Sequence, residues 1–287
     1  MKTAKEKKSP EGLALKFRVF TKNKFAVIGF FITLFMILFA IFGRLFTSNY
    51  DLYTLSVTDR LSMPSAEHFF GTDTMGRDLY SRCVHGIGVS LYIGLMVSVL
   101  SSVLGVLMGL LAGYFRLLDN IIMRICEALM SVPAILLALV LMAIFDPNVN
   151  NVIVALTIIY TPSIARVARA STLSVREQTY IEACRSIGAK WPRILFRHIL
   201  PNIISPIIVQ ATFIFASSII VESSLSFIGV GVPAPEPSLG NILFDAKSVL
   251  LKDPMMTFIP GLIMILLVLG VNLLGDGMRD VLDPQSN

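Results

Sequence analysis

Six stretches of this chain are apolar over about the 20 residues that a helix needs to cross the hydrocarbon core of a bilayer. They fall at about 25–46, 89–115, 122–145, 151–169, 203–228 and 257–275. The fourth is the most interrupted, by Pro162, Ser163 and Arg166. It is still needed as a span, because without it the loops land on the wrong sides. Between the fourth and fifth stretches the pattern changes. Residues 174–201 are polar and basic, with helical rather than membrane periodicity. Ser174 and Glu177 have capping-box spacing, which predicts a helix start there. Tyr180, Ala183, Cys184 and Ile187 follow at i, i+3, i+4 and i+7, one apolar face. Gly188 occupies the place where a helix end favours a left-handed residue. Pro192 suits the first turn of a second short helix, and Pro201 is expected to end it. On the other side of the second stretch, Thr72 or Asp73 is expected to cap a helix running through Arg82.

Charge orients these elements. The first 24 residues carry Lys2, Lys5, Lys7, Lys8, Lys16, Arg18, Lys22 and Lys24, and the 170–202 segment carries Arg176, Arg185, Lys190, Arg193 and Arg197. The bias of basic residues toward the cytoplasm predicts both termini and the 174–201 segment inside. Loops 47–88, 146–150 and 229–256 then lie outside. The organisation is a basic cytoplasmic tail (1–24), a first span (25–46), an extracytoplasmic loop with an amphipathic segment (47–88), and a five-helix core (89–287). The PAPEPS stretch at 233–238 is stiff and suits an outer, partly re-entrant loop.

Composition agrees. Hydrophobic residues make up 55% and charged residues 15% of 287 positions, and the mean hydropathy is +0.76, as in a polytopic all-α membrane protein rather than a soluble domain. The net charge of +5 sits in short loops beside apolar runs, so it points to a lipid bilayer and not to nucleic acid. Cys83, Cys126 and Cys184 lie far apart, with no disulfide framework or zinc spacing. His68, His85 and His198 have no metal-ligand spacing either. The first apolar run is too long for a signal peptide, so the N-terminus is expected to be retained. A P-loop, an HExxH and a GxSxG are all missing from the sequence, and no catalytic constellation replaces them.

Several polar or small residues inside spans are candidates for more than packing. Gly94, Ser98, Ser102, Gly105, Gly109 and Gly113 form a small-residue stripe. Such a stripe suits a tight helix contact, either within the chain or with a second subunit. Charges in spans face protein or water. Arg124 and Glu127, at i and i+3, are expected to pair. Glu222 is either a pathway or outer-gate residue or a hydrogen-bond partner of the neighbouring outer loop. Asp276, Arg279 and Asp280 are expected to lock helix ends at the cytoplasmic edge.

The polar insert also carries a family resemblance. Glu182-Ala183-Cys184, three residues, Gly188, and then Leu200-Pro201 resemble the EAA loop of ABC importer permeases, with Cys184 in place of the second Ala and His198 in place of an Ile. The segment FGTDTMGRD (70–78) with LYSR after it, ESSLSFIGVGV (222–232), the proline-rich loop after that, and NLLGDGMRDVLDP (272–284) resemble the dipeptide, oligopeptide and nickel branch of that family. The resemblance implies a six-helix type I importer fold with a cytoplasmic coupling helix. It implies a second, homologous but non-identical permease subunit, two ATP-binding subunits and an extracytoplasmic substrate-binding protein. ATP and Mg would be held by the ATPase partners, leaving this chain without a cofactor. By the same resemblance, Tyr180, Ala183, Cys184 and Ile187 would pack into the ATPase groove, Glu182 would orient the coupling helix, and Gly188 would form its turn. Di- or oligopeptides are the favoured cargo. Nickel, metal chelates, glutathione and other small solutes are alternatives. A passive channel or secondary transporter, and an anchor without transport, are readings from other classes.

Overall fold

The structure is a computed structural model that describes residues 21, 23–47, 52–53 and 55–282. The expected basic tail therefore lies almost wholly outside the described residues, as do the last two residues of the 272–284 motif. Helix α1 (Lys24–Phe42) starts where the Asn23 side chain accepts from the amides of Phe25 and Ala26, and it runs into a 3-10 turn at Gly43–Phe46. Helix α2 (Leu79–Tyr114) is followed by α3 (Arg116–Met130), α4 (Ala134–Ile144) and α5 (Val149–Arg176). A surface hairpin comes next: α6 (Thr179–Ser186), then α7 (Trp191–Arg193), which passes through a π-turn at Ile194–Ile199 into α8 (Leu200–Ile228). Outer helix α9 (Leu239–Ala246) and the last span α10 (Met255–Leu282) complete the described chain.

Five of these helical runs are long and apolar enough to cross a membrane, and the pair α3 and α4 makes a sixth when taken together. The expected span at 122–145 is thus a broken one that begins earlier, at Arg116. The chain bends by 94° between α3 and α4, at Ser131–Pro133, because a proline disfavours helical backbone in the residue before it. The second span is also longer than its apolar run, starting at Leu79 rather than near 89. Its first turns carry charge that the protein itself solvates.

The interrupted fourth stretch is α5. Of its most apolar window 61% is buried, against 28–39% for the other continuous spans. Its polarity is tolerated because its neighbours are protein rather than lipid. Its main neighbour is α2, and the small-residue stripe forms the seam. A Cβ on Gly105 would stand 2.5 Å from the Ile164 Cβ, one on Gly109 2.5 Å from that of Ala168, and one on Gly113 2.6 Å from that of Thr172. The stripe therefore serves packing within the chain. Farther out, Ser98 Oγ donates to the Ala211 carbonyl on α8 at 2.7 Å. With α1, α2, the broken span, α5, α8 and α10 each crossing once, Asn23 and Asp280 fall at the same end. They meet there, Asn23 Nδ2 donating to Asp280 Oδ2 at 2.5 Å.

Candidate functional site

The polar hairpin lies at that same end, and its construction departs from the expected one at three points. Ser174 does not begin a helix: α5 continues to Arg176. Thr172 is packed against Gly113, and Arg176 Nη1 donates to the carbonyls of Gly113 and Tyr114 at 2.9 and 3.3 Å. These contacts hold α5 helical past the capping signal. Helix α6 starts after Gln178, whose side chain makes no cap bond.

The second departure concerns the apolar face. Ile181, absent from the expected stripe, is fully buried among Leu110, Ala168, Ile194, Leu195, Ile199 and Ile203. Cys184 packs at the edge of that cluster. Tyr180 and Ile187 instead point outward, 40% and 83% exposed, with Glu182 and Ala183 exposed beside them. Periodicity found the stripe but not which side of it met the protein.

The third departure is Pro201, which does not end a helix. The chain is helical from Trp191 to Ile228. The π-turn absorbs the irregularity, with the Leu200 amide bonding the Leu195 carbonyl, and Pro201 sits in the first turn of α8. Pi-turns inside α-helices are frequent at functional positions. Leu200 packs at the edge of the Ile181 cluster. Gly188 behaves as expected. Its φ is +80°, its amide bonds Arg185 O at 2.9 Å, and the next amide bonds Cys184 O at 3.0 Å, a Schellman ending. A Cβ there would meet nothing within 4 Å, so the glycine is required by backbone conformation alone. Asn202 Nδ2 donates to Tyr180 Oη at 3.2 Å and ties α6 to the start of α8.

Beside the hairpin lies the elbow between α2 and α3. The Arg185 guanidinium sits 5.2 Å from the centre of the Tyr114 ring. Phe115 and Trp191 meet edge-to-face at 5.6 Å. Arg169 pairs with Asp119 through two bonds, one of them Nη2 to Oδ2 at 2.6 Å. The expected pairing of Arg124 with Glu127 is corrected: the α3 residue that forms an ion pair is Asp119. Among the described residues no ion pair joins those two, and both line a polar cavity of about 160 Å³ with Asp119, Asn120 and Arg169. Helix α5 presents Arg169 to Asp119 across the helix contact, whereas Arg124 and Glu127 are exposed within that cavity.

The opposite end is held differently. Asp73 is fully buried. Its Oδ2 accepts from Arg77 Nε at 2.6 Å and lies 3.5 Å from Arg82 Nε. Both arginines also reach Asp245 on α9, at 3.0 and 3.4 Å. The cap of α2 is Asp78, which accepts from the Ser81 amide at 2.7 Å and contacts His68 Nδ1 at 2.9 Å. The expected cap at Thr72 or Asp73 is corrected accordingly: the Asp73 carboxylate is occupied by arginine. Glu222 is fully buried. It accepts from Ser90 on α2 at 3.2 Å and from Ser223 and Ser226 on its own helix at 3.3 and 2.8 Å. The Ser226 hydroxyl in turn accepts from the Val232 amide of the outer loop. Asp276 and Arg279 are exposed near the end of α10. Among the described residues no three His, Cys, Asp or Glu side chains gather as a metal site.

The family model described as "Binding-protein-dependent transport system inner membrane component" matches residues 101–286, and the N-terminal TM domain of oligopeptide transport permease C matches residues 13–64. The chain is 50% identical over 227 residues to the probable peptide ABC transporter permease protein y4tQ of Sinorhizobium fredii, covering 79% of this chain and 78% of that protein. It is 41% identical over 270 residues to the dipeptide transport system permease protein DppC of Alkalihalophilus pseudofirmus, covering 94% and 88%. It is equally 41% identical over 270 residues to the glutathione transport system permease protein GsiD of Escherichia coli, covering 93% and 89%. In fold it is similar to the MetNI methionine ABC transporter in inward-facing conformations, with a TM-score of 0.59 at 19% identity over 70% of this chain and 96% of that one.

Proposed function

Because this chain belongs to the binding-protein-dependent transport system inner membrane component family, and is thus a multi-pass inner-membrane permease subunit of a bacterial ABC importer, we propose that it carries di- or oligopeptides, driven through its 174–201 hairpin by ATPase partners. The chain is a transport subunit and not an enzyme. In this reading ATP and Mg are bound and hydrolysed on two partner subunits. A second, homologous permease completes the membrane unit, and an extracytoplasmic binding protein delivers cargo.

One observation carries the coupling part of the proposal. Helix α6 is anchored by Ile181 on its inner side and offers Tyr180, Glu182, Ala183 and Ile187 on its outer side. A short helix fixed to the fold by one face and bare on the other is suited to a groove on a partner, where an amphipathic helix docks its exposed apolar anchors. Cys184 and Gly188 would set its seat and its ending, and Leu200 and Pro201 would carry its displacement into α8. Glu222, fully hydrogen-bonded at the outer end, fits an outer closure better than a cargo contact. The peptide assignment is supported by relatives whose names specify peptide or dipeptide transport. The glutathione relative, itself named for a tripeptide, marks the neighbouring possibility.

The test is uptake by vesicles containing the complete complex. ATP-dependent accumulation of a labelled dipeptide, competed by unlabelled di- and tripeptides, supports the proposal. Uptake competed by glutathione and not by dipeptides moves the cargo, and uptake independent of ATP overturns the importer mechanism. Replacing Gly188 with Pro should abolish uptake while membrane insertion stays normal.

A further inference from the structure

We propose that the Tyr114–Phe115 elbow between α2 and α3 receives the movement of the coupling hairpin and passes it to the broken span, making Tyr114, Phe115, Arg185 and Trp191 positioning residues for transport. The inference rests on the importer reading above and concerns how motion leaves the hairpin.

Three contacts of different chemistry converge on these two residues. The Arg185 guanidinium lies over the Tyr114 ring at 5.2 Å, within cation–π range. Trp191 meets Phe115 edge-to-face at 5.6 Å, a favoured aromatic geometry. Arg176, at the end of α5, holds the last carbonyls of α2 at Gly113 and Tyr114. Arg185 lies in the last turn of α6 and Trp191 begins α7, so the two legs of the hairpin each grip one ring of the elbow.

The elbow is also where the helical backbone is interrupted. Phe115 is extended, with φ −109° and ψ 115°, and is at once the C-cap of α2 and the N-cap of α3, without any side-chain cap bond at the start of α3. On one side α2 is seamed to α5 through Gly105 and Gly109 and cannot shift alone. On the other side α3 is loosely held: Cys126 is its one fully buried residue, and the Asp119–Arg169 pair is its main polar tie. A force on the elbow therefore swings α3, and α3 leads through the bend at Ser131–Pro133 into α4. Coupling between distant sites needs such a rigid element with two arrangements, biased from one side.

The experiment uses the complete complex in proteoliposomes, with ATP hydrolysis and peptide uptake measured in the same vesicles. Phe115→Ala, Trp191→Ala and the double variant are compared with wild type. Equal recovery of all subunits confirms that each variant assembles. If the elbow relays motion, uptake per ATP hydrolysed falls by about fivefold in each single variant, the size typical of a lost coupling contact. The double variant is then no worse than either single one, because both remove the same contact. Tyr114→Phe, which keeps the ring under Arg185, should retain the wild-type ratio, and Tyr114→Ala should not. An unchanged ratio in the single variants, or uptake and hydrolysis falling in proportion, overturns the relay. Wild-type vesicles that show no ATP-driven uptake would instead refute the importer reading, so the two failures are distinguishable.

Discussion

The two ends of this molecule are held together in different proportions of polar and apolar contact. At the outer end, charges and hydroxyls are taken inside: Asp73, Arg77, Arg82 and Asp245 form one network, and Glu222 gathers serines from two helices. At the inner end, the hairpin rests on an apolar cluster around Ile181 and on ring contacts at the elbow. A buried polar network is fixed by direction and fails when one member is lost. Apolar and aromatic contacts tolerate sliding. The outer end is thus the more rigidly fixed of the two, which is what the proposed coupling through the hairpin requires.

That contrast is open to attack by substitution. The largest effect is expected for Asp73→Ala, which removes the buried carboxylate of the network and leaves Arg77 and Arg82 with only the partly exposed Asp245. Removing one member of a buried ion pair destabilises by about 3–5 kcal/mol, to be read as a fall in the melting temperature of the purified complex. An unchanged melting temperature would break the comparison outright. Gly240→Ala comes next. Its Cβ would stand 2.4 Å from the Ser223 carbonyl oxygen and 2.7 Å from Ser223 Cα, so α9 must lift off α8, at about 1–3 kcal/mol. The inner counterpart, Gly188→Ala, meets no atom and is opposed only by its left-handed φ, about 1 kcal/mol. Equal losses at the two glycines would show that the outer seat is no tighter than the inner one. Smallest in stability is Ile187→Ala, within about 0.5 kcal/mol because the side chain is exposed. Its effect should appear as reduced recovery of the ATPase partner in affinity purification, and full recovery would remove Ile187 from the docking face.

Most of the architecture was legible because membrane spans are written in run length and basic-residue bias. The broken span was the exception. Its apolar residues alternate between faces that meet protein and faces that do not, and hydropathy sums both, so Pro133 was the only local sign of a bend. At the hairpin, Gly188 was readable from position alone, since a left-handed helix ending is a local requirement. Ile181 was not. Whether it or Tyr180 faces inward depends on where α8 begins, which is a tertiary fact. The ion network escaped for a similar reason. Asp73 and Arg77 stand at i and i+4 in plain view, but their third and fourth members, Arg82 and Asp245, are far apart in sequence. Arg124 and Glu127 show the reverse error: a short sequence spacing suggested a pair, but both side chains are exposed, and the ion pair on this helix is made by Asp119 with Arg169 of α5.

Under the proposed coupling, the helical run from Trp191 to Ile228 would act as a mechanical amplifier. Its 38 residues extend about 57 Å at the helical rise. Near the far end, Glu222 fastens it to α2 like the pivot of a lever. A tilt of about 5° around that pivot carries the hairpin sideways by about 4 Å, given the helical rise over the intervening residues. In that geometry the outer end would barely travel while the inner end swept, and a modest closing stroke at the surface would need no large deformation within the bilayer.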